Sequence, residues 1–101
     1  MTVRFGLIGA GRMGANLARH LAYTIDGANL VAIADPNQQH LIEMRPLFEN
    51  VDTYSDYNKL LDRSDLDAVA IATPTNTHVE VVKAAAAAVN IFSLKSHWLL
   101  Q

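Results

Sequence analysis

A Gly-x-Gly-x-x-Gly motif at positions 9–14 constrains the fold of this chain more than any other segment. It follows the apolar run Val3–Ile8, whose composition is typical of a buried parallel strand. It precedes a segment from Arg12 to Ile25 in which apolar residues recur every four positions, as they do on one face of a helix. The motif therefore predicts a tight turn from a buried strand into a helix.

Each glycine of this turn has a separate predicted role in a dinucleotide site. Gly9 allows the tight turn, Gly11 allows the backbone to approach a pyrophosphate, and Gly14 allows the helix to pack closely on the strand. The backbone amides of Arg12 and Met13, at the positive end of the helix, are predicted to face the phosphates. A glycine-rich turn that binds no ligand is the alternative interpretation.

Asp35 supplies the second half of the dinucleotide pattern. It ends the next apolar run, 30–34, about 20 residues after the last glycine of the motif. A carboxylate here accepts hydrogen bonds from both hydroxyls of an adenosine ribose and repels a 2′-phosphate, so we expect NAD rather than NADP. A residue that only caps the following helix is the alternative.

Strands and helices alternate along the rest of the chain. Further strands are predicted at 51–54, 67–72 and 89–94, and further helices at 37–46, around 60–61, and from about Thr75 to Ala88. Ser55 or Asp56 is expected to cap the short middle helix, and Thr75, Asn76 or Thr77 the last one. This alternation predicts an α/β fold, a doubly wound parallel Rossmann sheet of about five strands where six are usual, forming one domain over residues 1–101.

The loop at 73–78 is the third candidate part of the site. It follows the predicted strand 67–72, at the carboxyl edge of the sheet where ligands bind in such folds. Thr73 and Pro74 shape this loop, and Asn76 and His78 can donate hydrogen bonds to the nicotinamide end of a cofactor. Helix capping by Asn76 and an ordinary helical position for His78 remain equally open.

Composition excludes several classes of function. The chain has 101 residues, no cysteine and a formal net charge of −2. It therefore has no disulfide framework, no thiolate metal site and no basic surface for nucleic acid. No apolar run has the length of a membrane span, and no secretory signal pattern is visible, so we expect a cytoplasmic protein. His20, His40 and His97 lack metal-ligand spacing, and we expect surface or packing roles for them.

With these residues considered together, the chain resembles the glucose–fructose oxidoreductase / inositol dehydrogenase family (Gfo/Idh/MocA), and most closely its inositol 2-dehydrogenase branch. Four segments carry the resemblance, namely 6–14, 31–36, 54–61 and 67–78. The resemblance implies NAD(P)-dependent oxidation of a secondary hydroxyl on a sugar or cyclic polyol. It also implies a second, C-terminal domain that binds substrate and supplies an Asp and a His for proton transfer.

The resemblance further implies a Glu-Lys-Pro motif near the end of the Rossmann domain. Here the corresponding residues are Leu94-Lys95-Ser96, so Lys95 is the only candidate catalytic residue in the chain. Ala88 replaces the glycine that usually ends the preceding helix. With no second domain in the sequence, we expect an NAD-binding domain without turnover of its own.

Two other functions stay open from the sequence. The first is a nucleotide-sensing module without activity, which the loss of the carboxylate at Leu94 favours. The second is a self-associating module, because the C-terminal segment is apolar and lacks a covering domain. The apolar residues of that segment are Ile91, Phe92, Leu94, Trp98, Leu99 and Leu100.

Overall fold

The computed structural model describes residues 2–48, 50–73, 75–88 and 90–93, with the backbone alone described at 75–78, 88 and 90–93. Within these residues, five parallel strands form one sheet in the order β3-β2-β1-β4-β5. The strands are β1 (Val3–Ile8), β2 (Ala28–Ala34), β3 (Asp52–Tyr54), β4 (Ala68–Ile71) and β5 (Asn90–Ser93). The predicted five-stranded parallel Rossmann sheet is thus confirmed.

Four α-helices connect the strands. They are α1 (Arg12–Arg19), α2 (Gln38–Met44), α3 (Tyr57–Leu61) and α4 (Thr75–Ala88). Asp56 caps α3 by accepting a hydrogen bond from the Asn58 amide at 2.9 Å, so the second of the two predicted caps is correct. Because α4 already begins at Thr75, the three predicted caps of this helix lie inside its first turn.

The core has two halves, one on each face of the sheet. Successive residues of β1 point to opposite faces, so Leu7 packs in one half and Ile8 in the other. The Leu7 half lies under α1 and α2 and includes Leu41, whereas the Ile8 half lies under α3 and α4 and includes Leu60. Because both faces are covered, the strands are almost continuously apolar, as expected for a doubly wound sheet.

The first helix differs from its predicted extent. The α-helix ends at Arg19 and continues as a π-helical turn over His20–Thr24, and Ile25 is about half exposed. Ile25 follows this turn with an extended backbone (φ −90°, ψ 116°), so it lies beyond the helix and off the buried face that carries Leu21.

The order of the strands positions the site. β1 lies at the centre, with β2 on one side and β4 on the other. The connections after β1 and β4 leave toward opposite faces of the sheet, which opens a crevice between them at the carboxyl edge. The glycine motif follows β1, Asp35 follows β2 and Thr73 follows β4, so all three lie at this edge.

Candidate dinucleotide site

A cleft of about 530 Å³ opens at the carboxyl edge of the sheet. Six of the predicted site residues line it, namely Gly9, Gly11, Arg12, Met13, Asp35 and Thr73. The volume lies in the range of small-molecule sites, and the atoms of the described residues leave the cleft open. The tertiary structure thus brings three segments that are distant in sequence to one concave surface.

The backbone geometry and close packing of the turn require glycine at positions 9 and 14. Gly9 has a φ of +104°, and a Cβ atom at this position would lie 2.7 Å from the Ala72 carbonyl oxygen. A Cβ atom on Gly14 would collide with the Gly9 carbonyl oxygen. Gly14 therefore lets α1 pack closely on the turn, although it does not line the cleft.

Gly11 differs from the other two glycines of the motif. The nearest atom to a Cβ built on Gly11 is Cε1 of His40, at 3.9 Å. Its φ of −70° is accessible to any residue. Nothing in the protein therefore requires a glycine here, and the space in front of it belongs to the cleft.

The start of α1 provides donors for an anion. The first intrahelical bond runs from the Ala15 amide to the Gly11 carbonyl at 2.8 Å, so the amides of Arg12, Met13 and Gly14 precede it. These amides carry the positive end of the helix dipole. The residues present therefore fit a diphosphate at this turn.

Asp35 is connected directly to the glycine motif. Its residue surface is only 8% exposed, and its Oδ2 accepts a hydrogen bond of 2.7 Å from the Ala10 amide. Its Oδ1 accepts another of 2.7 Å from the Asn37 amide. The cap of α2 is Asn37, whose side chain accepts from the Gln39 amide, so the alternative in which Asp35 caps that helix is wrong.

The structure adds residues that the sequence analysis did not select. His40 lines the cleft and places Nδ1 3.1 Å from Asp35 Oδ2, a contact that the expected surface or packing role for this histidine did not include. Tyr57 from α3 and Glu80 from α4 also line the cleft. His40 follows Asp35 by five residues, which places it in the first turn of the helix after β2, and this spacing was the available signal.

For four other predicted site residues, no side chain is described. Pro74 and Lys95 lie outside the described residues, as does most of the apolar segment proposed for self-association. Asn76 and His78 belong to the first turns of α4, where the backbone alone is described. Their roles toward nicotinamide and substrate therefore remain predictions.

The aspartates Asp62, Asp65 and Asp67 lie between the end of α3 and the start of β4, and the last two form ion pairs with arginines. Arg63 contacts Asp65 at 2.7 Å, and Arg4 contacts Asp67 at 3.2 Å. The Arg63 hydrogen bond lowers the pKa of Asp65, and the Arg4 hydrogen bond lowers the pKa of Asp67. Asp62 is the C-terminal cap of α3.

Two features are absent from the described part of the chain. No helix there is long and apolar enough to cross a membrane. No group of three or more histidine or acidic side chains there is arranged to hold a metal ion.

A parallel doubly wound sheet, a glycine turn that opens a helix and an acidic residue after β2 define an NAD-binding Rossmann domain. The family model described as "Oxidoreductase family, NAD-binding Rossmann fold" (GFO_IDH_MocA) matches residues 3–92. The chain therefore belongs to this oxidoreductase family, and the predicted family resemblance is confirmed.

Individual relatives refine this assignment. Inositol 2-dehydrogenase 4 of Saccharopolyspora erythraea is 39% identical over 83 residues, covering 82% of this chain and 25% of the relative. Myo-inositol 2-dehydrogenase of Thermotoga maritima is 40% identical over 86 residues, covering 85% of this chain and 25% of the relative. The chain thus spans about a quarter of the length of these curated relatives.

A solved structure gives the same similarity at the level of the fold. Myo-inositol dehydrogenase from Lactobacillus casei, in complex with NAD(H) and myo-inositol, matches with a TM-score of 0.85 and 30% identity. The match covers 92% of this chain and 28% of that chain.

Proposed function

We propose that this chain binds NAD in the cleft at the carboxyl edge of the sheet. The backbone of Gly9, Gly11, Arg12 and Met13 holds the diphosphate, and Asp35 holds the adenosine ribose. Thr73, Pro74, Asn76 and His78 form the nicotinamide end. The observation that carries this proposal is the 2.7 Å hydrogen bond from the Ala10 amide to Asp35, because it joins the phosphate turn to the ribose acceptor.

Charge supports NAD rather than NADP as the ligand. Two unit charges about 4 Å apart interact with about 4 kcal/mol at an effective dielectric constant of about 20. That repulsion between Asp35 and a 2′-phosphate exceeds the roughly 1 kcal/mol net contribution of one hydrogen bond. Arg12 belongs to the described cleft lining, and in the sequence it lies in the phosphate turn and not beside Asp35.

In the complete protein, we propose that this domain serves hydride transfer between NAD and a secondary hydroxyl of a cyclic polyol. The named relatives are inositol dehydrogenases, and one of them is a complex with myo-inositol. NAD supplies the hydride acceptor when it is bound, and this chain binds and orients it. Lys95 is the candidate to orient the substrate hydroxyl.

The isolated chain is proposed to lack turnover, because the family resemblance implies that the Asp and His of proton transfer belong to a C-terminal domain, and the chain aligns with only about a quarter of its curated relatives. Purified chain mixed with NAD and a panel of polyols should show no reduction of NAD by absorbance. Sustained NADH formation would overturn this part of the proposal while leaving the binding site intact.

Calorimetric titration tests the binding site directly. We expect the chain to bind NAD and ADP-ribose, with NADP weaker. Replacement of Asp35 by Ala should lower NAD affinity by at least about tenfold, since the ribose loses its charged acceptor. The variant Asp26→Ala, which changes an exposed acidic residue outside the cleft lining, is the matched control. Unchanged NAD affinity in Asp35→Ala would contradict the ribose role.

A further inference from the structure

The backbone of Asp35 is held by β3, the last strand on its side of the described sheet. The Asp35 amide donates a hydrogen bond of 3.0 Å to the Tyr54 carbonyl, directly after the pairing of Ala34 with Tyr54. The Asp35 carboxylate accepts the Ala10 amide on the other side. The position of the proposed ribose acceptor therefore depends on β3 as well as on the glycine turn.

The backbone pairing of β3 is short. The strand has three residues, Asp52–Tyr54, whereas strands of about 5–6 residues are typical. Among the described strands it pairs only with β2, because it lies at the edge of the sheet. None of its three residues is fully buried. Contacts from neighbouring elements therefore decide how firmly this strand is held.

Arg63, which follows α3, supplies contacts of this kind. Its Nη1 donates to Asp52 Oδ2 at 2.7 Å and to the Tyr54 hydroxyl at 3.1 Å. Its Nε and Nη2 donate to the two carboxylate oxygens of Asp65 at 2.8 and 2.7 Å. The guanidinium thus joins the first and last residues of β3 to the loop that leads into β4.

This set of contacts differs from an ordinary surface ion pair, which contributes little. The Arg63 side chain is only 19% exposed, and its bidentate contact with Asp65 fixes the plane of the guanidinium. Asp52 and Tyr54 are two positions apart in the strand, so their side chains lie on the same face of β3. A fixed guanidinium therefore holds both ends of β3 from one face.

Resting on the proposed NAD function, we propose that Arg63 is a positioning residue for the ribose acceptor. No hydrogen bond or ion pair joins Arg63 to Asp35 among the described contacts, so it acts through β3. The guanidinium holds Tyr54, and the Tyr54 carbonyl holds the Asp35 amide. Without Arg63, pairing with β2 and the 3.2 Å contact of Arg45 with Thr53 keep β3 in the sheet, but Asp35 is held less firmly.

Calorimetric titration with NAD compares two arginine variants of the 101-residue chain, at a temperature where circular dichroism shows both to be folded. Arg63→Met should bind NAD about fivefold more weakly than the unmodified chain, because the ribose acceptor is less well positioned. Arg4→Met is the matched control, since it removes an arginine–aspartate ion pair with Asp67 at the amino end of β1, outside the cleft lining. It should bind NAD like the unmodified chain.

A second variant covers the case in which Arg63→Met does not fold. Asp52→Ala removes one acceptor of Arg63 from an exposed side chain and leaves the arginine in place. It should weaken NAD binding about twofold, because the Tyr54 hydroxyl is then the remaining contact of the guanidinium with β3.

Two readouts distinguish positioning from a general loss of stability. In the Asp35→Ala background, Arg63→Met should not weaken NAD binding further, because the side chain that it positions is missing. Amide hydrogen exchange, followed by NMR without ligand, should be accelerated by Arg63→Met at least about tenfold more at Asp35 than at Ala72, whose amide bonds the Ile8 carbonyl. An arginine that only stabilised the whole domain would affect both amides alike and leave the affinity of the folded protein unchanged.

The outcomes separate this inference from the function on which it rests. If NAD binding depends on Asp35 but Arg63→Met binds NAD as tightly as Arg4→Met, the role of Arg63 is overturned and the NAD site stands. Unchanged affinity in Asp52→Ala, where Arg63→Met does not fold, overturns it as well. An equal loss of affinity with and without the Asp35 carboxylate also overturns it. If the unmodified chain binds no dinucleotide, the proposed function itself fails, and this inference fails with it.

Discussion

Alanine substitutions at Gly9 and Gly11 should separate folding from binding. Both glycines belong to the same turn, but they differ in what surrounds them. Alanine at Gly9 has a φ of +104° and a Cβ atom 2.7 Å from the Ala72 carbonyl oxygen. Alanine at Gly11 has a φ of −70°, and beyond its two chain neighbours no atom of the described residues lies closer than 3.9 Å to its Cβ.

The expected stabilities follow from these geometries. At Gly9, backbone strain of about 1–3 kcal/mol adds to an overpacking cost of about 1–3 kcal/mol. The total, about 2–6 kcal/mol, is a large part of the roughly 5–15 kcal/mol that a domain of this size has. At Gly11, the gain of about 0.4–1 kcal/mol from restricting the unfolded chain is offset by the loss of a favourable N-cap residue, which is of similar size. The free energy of unfolding should therefore change little.

The affinity for NAD should reveal an effect of Gly11→Ala that the free energy of unfolding does not. A methyl group on Gly11 occupies the space through which the backbone approaches the pyrophosphate, so NAD affinity should fall at least about tenfold in a fully folded protein. Urea denaturation measures the stabilities, and calorimetric titration measures the affinities. The reasoning would be refuted if Gly11→Ala bound NAD like the unmodified chain, or if it lost as much stability as Gly9→Ala.

Two further predictions concern charged groups. Asp35→Ala should also destabilise the chain by about 1–3 kcal/mol, because the buried Ala10 amide loses its acceptor. Urea denaturation without NAD measures this loss. A free energy of unfolding equal to that of Asp26→Ala would contradict the prediction. The hydrogen bond from Arg63 lowers the pKa of Asp65 in the folded state. The pair therefore stabilises the protein at pH values above the ordinary pKa of an aspartate. That stabilisation is lost as the pH falls through the lowered pKa. Replacement of Arg63 by Met should therefore reduce stability at neutral pH and flatten its acid dependence below about pH 4, and an unchanged acid profile would show that the pair contributes nothing.

Local sequence patterns determined most of the architecture. Apolar runs of strand length, helical spacing and turn residues lie within a few positions of one another, so the strand and helix order was predicted from the sequence. The glycine motif and Asp35 identified the carboxyl edge of the sheet as the site for the same reason, because their spacing is typical of one strand-helix-strand unit. The resemblance to the family rested on these same segments and was confirmed by the match over residues 3–92.

The contacts at the site were decided only by the tertiary structure. Ala10 and Asp35 are 25 positions apart, and their hydrogen bond exists because β1 and β2 pair in parallel with a particular register. The position of His40 over Gly11 depends on how α2 leaves the sheet, and no periodicity in the sequence specifies that direction. The ion pair of Arg63 with Asp52 likewise depends on the packing of α3 against β3, whereas Asp65 is only two positions from Arg63 in the sequence.

The order of elements and the chemical type of ligand thus came from the sequence by itself, since both depend on residues that interact locally. Which groups of the protein contact the two oxygens of Asp35, His40 among them, came only from the fold. Those properties depend on the directions of helices and the register of strands, and packing of the whole core decides both.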